Sequence, residues 1–80
     1  MVRLFFHIRE GNRMSKDQEG AEFENVEAAR MEAVRSAREL LSQRVLNGEE
    51  IDGQVFELTG DDGTVMATVR FRDVLRLHER

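Results

Sequence analysis

Two histidines and two acidic groups are the residues of this 80-residue chain that could do chemistry on their own. A histidine serves as a general base only where a carboxylate orients its ring and a pocket admits the substrate. His7 lies in an alternating stretch, with neither partner placed by the sequence, and reads as a half-exposed strand residue. His78 lies in the tail and reads as solvated. The two are far apart, and without a cysteine in the chain no zinc-ligand spacing arises. Asp17, Glu19 and Glu22 form one acidic group; Glu49, Glu50 and Asp52 form the other. Carboxylates of this kind can ligate a divalent cation through oxygen. Neither group follows the spacing of an EF-hand loop, and Gly60-Asp61-Asp62-Gly63 holds too few ligands and reads as a turn. The sequence therefore assigns no catalytic residue, no metal ligand and no cofactor.

The elements that must position these side chains are legible from periodicity. Val2 to Arg9 alternates: Leu4, Phe6 and Ile8 point one way, and Arg3, Phe5, His7 and Arg9 the other. A period of two predicts a strand with one buried face. Glu10-Gly11-Asn12-Arg13 reads as a turn. Met14 to Phe23 is weakly patterned, with a short edge strand near Ala21 to Phe23 left open. Asn25 to Leu46 is the firmest element, an amphipathic helix with Asn25 as its cap and Gly48 suited to its end. Val26, Ala29, Ala33, Val34, Ala37, Leu40 and Leu41 form its apolar stripe, much of it small. Gln54 to Leu58 and Thr64 to Arg72 predict a hairpin around the Gly60 to Gly63 turn. Its core side is expected to carry Phe56, Leu58, Val65, Ala67, Val69 and Phe71. Val74, Leu75 and Leu77 fit either a last helical turn or a longer strand.

One helix needs one apolar layer to cover. The expected architecture is α+β, a single domain over residues 1–80. It is a two-layer sandwich of one helix on a three- to four-stranded, mainly antiparallel sheet in the order β-(β)-α-β-β.

That arrangement leaves one sheet face bare. It is expected to present Arg3, Phe5, His7 and Arg9 from the first strand and Met66, Thr68, Arg70 and Arg72 from the last, with Val55 and Glu57 between. Phe5, Val55 and Met66 would form an apolar patch of the kind that marks interfaces. Aromatic and basic residues together also suit an RNA-binding sheet. The formal net charge of −4 and the lack of an RNP-like motif count against nucleic acid. Arg30 is the odd residue of the helix. At about 100° per residue it falls within the apolar stripe, and a structural ion pair with Asp17, Glu19 or Glu22 is expected.

Arg3-Leu4-Phe5-Phe6-His7-Ile8-Arg9-Glu10-Gly11, Asp17-Gln18-Glu19-Gly20-Ala21-Glu22-Phe23, Glu27-Ala28-Ala29-Arg30 and the stretch from Asp62 to Asp73 together carry a family likeness. In them the chain resembles a family of small uncharacterised bacterial proteins, a domain of unknown function common in soil and plant-associated alphaproteobacteria. The likeness implies the fold outline and a cytoplasmic setting, and it transfers no active residue.

Composition sets the remaining expectations. A chain this short buries only about 60% of its unfolded surface. Without cysteines or a metal site, self-association is the available source of extra stability. No stretch approaches a membrane span, and the N-terminus lacks signal-peptide character. The reading is a cytoplasmic, non-enzymatic interaction module that self-associates through the open sheet face or a sheet edge, as a homodimer, or meets another protein there, with no small-molecule substrate. A nucleic-acid-binding sheet is the alternative.

Overall fold

A computed structural model describes residues 1–49 and 53–78, the side chains of 75–78 excepted. Five strands and two helices follow in the order β1 (Val2–Glu10), β2 (Arg13–Ser15), β3 (Ala21–Phe23), α1 (Val26–Leu46), β4 (Gln54–Thr59), β5 (Val65–Arg70) and α2 (Phe71–His78). All strand pairs are antiparallel, and the sheet runs β2-β1-β4-β5. β3 pairs with β1 on the same edge as β2, further along the strand. This is the expected α+β sandwich, with two short strands where the weakly patterned segment left the number open.

β1 organises the sheet. Its alternation puts Leu4, Phe6 and Ile8 toward the helices, where Leu58 stands opposite Phe6 and Phe56 opposite Ile8. Four phenylalanine rings then cross the core in a chain. Phe23 stacks on Phe6 at 5.5 Å between centroids, Phe6 meets Phe56 at 5.6 Å, and Phe56 meets Phe71 at 5.0 Å. Contacts of this geometry add to simple area burial. They join β3, β1, β4 and α2 through residues that are distant in sequence.

α1 begins where the sequence predicts. Asn25 is extended, and its Oδ1 accepts from the Ala28 N–H at 2.8 Å. Glu27 lies in the first turn and Arg44 in the last. At the far end the Asn47 N–H donates to the Gln43 carbonyl, and Gly48 takes φ +74. Ala29, Ala33, Ala37 and Leu41 are the buried stripe, spaced four apart, with Val26 and Val34 packed beside them. Three alanines in line let the helix axis lie close to the sheet. Leu40 is more exposed than its place in the stripe suggests. The neighbouring Leu41 takes the inner position, in one cluster with Val74 of α2.

Three expectations need correction. First, Arg30 does not pair with Asp17, Glu19 or Glu22. Its guanidinium meets Glu27 one turn earlier, Nη2 to Oε2 at 2.7 Å and Nε to Oε1 at 3.0 Å. A partner on its own helix is within reach, and the arginine side chain is 43% exposed, so no long-range acid is required. Second, Val65 is not in the core. Leu58 faces Ala67, but the next residue, Thr59, faces Val65, so β5 carries an extra residue at Met66. That bulge shifts Val65 onto the side of Thr59, away from the helices. Third, the last strand stops at Arg70. Phe71 is buried as expected, but as the first residue of a helix, with Val74 buried three positions on. Arg72 therefore belongs to α2 and not to the sheet. Asp73, in the first turn of α2, accepts from Arg70 Nε at 3.0 Å and holds the strand-to-helix corner.

The small stripe sets a size limit. Ala33→Leu is expected to destabilise the fold by about 1–3 kcal/mol through overpacking, read as a lower urea midpoint. Met31→Leu, on the exposed side of α1, should change it by less than about 0.5 kcal/mol.

Candidate functional site

Pairing register brings the bare-face candidates into rows. Arg9, Val55 and Arg70 form one row, with Met14 of β2 beyond Arg9. His7, Glu57 and Thr68 form the next, and Phe5, Thr59 and Val65 the third. Arg3 lies further along β1, opposite Glu22 of β3. Arg3, Phe5, His7, Arg9, Val55, Thr68 and Arg70 thus share the face that the helices leave open. Met66 stands at the bulge, and Arg72 is absent from the set.

The arginines of this face are largely engaged within the chain. Arg9 Nε donates to Glu57 Oε2 at 2.6 Å, diagonally across the β1–β4 pair from one row to the next. That hydrogen bond, helped by the arginine's charge, holds the Glu57 carboxyl below its ordinary range. Arg3 donates to the Glu19 carbonyl at 2.9 Å and to Glu22 Oε2 at 3.3 Å. Arg70 pairs with Asp73. Each pair is exposed, so its contribution to stability is small. What matters is direction: each guanidinium already points at a carboxylate.

Phe5 and His7 are half-buried, and the segment between β2 and β3 lies against them. Their rings stack at 6.1 Å, and a Cβ added to Gly20 would lie only 2.8 Å from the Phe5 ring. Gly20 also holds φ +68, a conformation that side chains other than glycine's rarely adopt.

Asp17 is the residue that periodicity could not reveal. β2 and β3 pair with the two ends of β1 and leave a gap between them. Asp17 Oδ2 fills it by accepting from the Phe6 N–H at 3.1 Å. Its Oδ1 accepts from Glu19 and Gly20 at 3.2 and 3.3 Å, and its own N–H donates to His7 Nδ1 at 3.1 Å. One acidic side chain thus replaces a missing strand residue and folds the loop. Partial burial pushes the Asp17 carboxyl up. The backbone donors of Phe6, Gly20 and Glu19 outweigh it, and the net shift is downward. The only sequence signal was an Asp followed by Gly three positions on, a common turn pattern.

This geometry limits what the face can do chemically. Asp17 N–H occupies the Nδ1 lone pair of His7, so the neutral ring carries its proton on Nε2 and offers no free base. His7, Lys16, Thr59 and Asp61 border a shallow depression between the 16–20 loop and the 60–63 turn. Among the described residues no three His, Asp or Glu side chains gather closely enough to hold a metal ion. Of the second acidic group, Glu50 and Asp52 lie outside the described residues, as does the His78 side chain. Likewise, among the described residues, no helix is long and apolar enough to cross a membrane.

The outer edge of β5 is different in kind. Among the described residues no strand pairs with it, and it ends in the exposed Val65 (46%) and Met66 (51%). At the opposite side of the sheet the edge strands are three residues each.

The chain belongs to the family described as a domain of unknown function (DUF6894), whose pattern matches residues 3–72. No curated protein and no solved structure matches it.

Asp17→Ala should cost about 1–2 kcal/mol, because it leaves the partly buried Phe6 and Gly20 donors without their acceptor, with faster amide exchange at Phe6. The pH dependence has a definite sign. The folded carboxyl titrates below the unfolded one, so the contribution of Asp17 is complete above about pH 4. It is lost as pH falls through the lower folded value. Urea titrations should show the gap between wild type and variant constant near neutrality and closing in acid; a gap that widens in acid would contradict the assignment.

Proposed function

We propose that this family member is a small bacterial cytoplasmic protein without enzymatic activity, a protein-interaction module that self-associates as a homodimer. The cytoplasmic setting is supported by the absence of cysteine from the sequence. The observation that carries the interaction reading is the contrast between the two parts of the sheet that face outward. The middle of the open face is occupied by its own contacts: Arg9 by Glu57, Phe5 by the Gly20 loop, His7 by Asp17. Among the described residues, the β5 edge has backbone groups with no strand beside them and exposed apolar side chains at one end. An unpaired strand edge is a template for another strand. The contact therefore centres on that edge, with Val65, Met66 and Thr68 near it and Phe5 and Val55 outside it.

Binding of nucleic acid through the same face is the weaker reading. It needs Arg3, Arg9 and Arg70 to meet phosphates, and all three would have to leave a carboxylate first.

Sedimentation over a range of concentrations should show a monomer–dimer equilibrium. Thr68→Lys, a charge of the kind that guards natural sheet edges, should shift it toward monomer, while Phe5→Asp should act mainly by loosening the 16–20 loop. A chain that stays monomeric at every concentration would remove the proposal. Binding to mixed RNA or DNA that weakens steeply with salt would favour the other reading.

A further inference from the structure

The free edge also constrains how a second copy can pair with it. We infer that two copies join antiparallel along β5 with Thr68 opposite Thr68 of the second copy, giving one continuous sheet with all helices on one side. The inference rests on the self-association proposed above and names its partner and register.

The argument is one of symmetry and faces. Two identical strand edges pair antiparallel about a two-fold axis perpendicular to the sheet. That axis keeps each face on its own side, so residues placed opposite each other must belong to the same face. In β5, Ala67 and Val69 face the helices, opposite Leu58 and Phe56, while Thr68 and Arg70 face away, opposite Glu57 and Val55. Only registers with a residue opposite itself satisfy the rule. Centring on Ala67 sets Val65 against Val69, and the bulge has put these two on opposite faces. Centring on Val69 runs the pairing into α2 after a single residue on either side. Centring on Thr68 pairs Ala67 with Val69 on the covered face and Arg70 with Met66 beyond them. It places the exposed Met66 beside the arginine's aliphatic stem and keeps the two Arg70 side chains apart. Cross-strand Thr–Thr pairs and aliphatic pairs are both favourable neighbours.

α2 begins where the strand ends at Arg70 and turns onto the covered face, where the Phe71 ring meets Phe56 at a tilt of 50° and Val74 is buried in one cluster with Leu41 of α1. The ion pair of Arg70 with Asp73 lies on the same chain and does not require the edge.

The absence of cysteine makes the register directly testable. Opposed residues of an antiparallel pair lie about 4.5–5.5 Å apart between Cα atoms, within the range a disulfide can span. Full-length Thr68→Cys under mild oxidation should form a disulfide-linked dimer at least tenfold faster than Met31→Cys, which is exposed on α1. A mixture of Met66→Cys and Arg70→Cys chains should give the mixed dimer in preference to either self-linked one. Self-association in sedimentation with no faster linking of Thr68→Cys would overturn the register and leave the interaction reading standing. A monomer in sedimentation would overturn both. Preferential Arg70–Arg70 position linking in the Arg70→Cys chain alone would replace this register with another.

Discussion

The backbone groups of every strand need hydrogen-bond partners, from the protein where they lie inside the sheet and from water where they lie at its edge, and the two sides of the sheet meet that demand differently. β1 is paired along both edges. On one it has β4; on the other it has β2, β3 and, between them, the carboxylate of Asp17. Backbone polar groups left unpaired inside a fold are costly, and the Asp17 loop removes that cost with a single side chain. The far side ends at β5 with no such closure among the described residues. The short strands β2 and β3 present three residues of outer edge each, whereas β5 presents six.

The same loop explains why the open face is not an apolar patch. Phe5 would be its most apolar member, but the 16–20 segment rests on that ring and Gly20 has no room for a side chain there. His7 is held through Nδ1 by the backbone of the same segment. Charges on the face are balanced in place, most directly Arg9 against Glu57. A surface whose polar groups already answer one another has little left to give a ligand, and this is why the proposed contact is placed at the edge and not on the face.

What the sequence made legible follows from the range over which its signals act. The α1 boundaries rest on Asn25 and Gly48, residues whose effects reach three or four positions, and both ends fall where those residues place them. The alternation in β1 and β4 sorts their side chains correctly because a period of two needs no partner to be read. The errors arise where a partner decides. Val65 follows the alternation of β5 in sequence and leaves it in space, because the extra residue at Met66 is defined only against Thr59 of β4. Phe71 continues the strand pattern by chance of spacing, and it is Val74 and Asp73 that make its turn helical. Arg30 suggested a distant acid because helical geometry put it near the stripe, yet Glu27 lay within one turn. Asp17 was legible as an acid and a turn former; its bond to Phe6 depends on the gap between two short strands that the pattern did not resolve.

The central claim is that the unpaired edge of β5 is the surface through which the protein meets a second copy. Amide hydrogen exchange measured residue by residue at low and high protein concentration tests it most directly. The account predicts that concentration slows exchange within Ala67 to Arg70 and leaves the amides of β1, including that of Phe6 behind Asp17, unchanged. Exchange in β5 that does not depend on concentration, or protection that appears instead around Phe5 and His7, would contradict it.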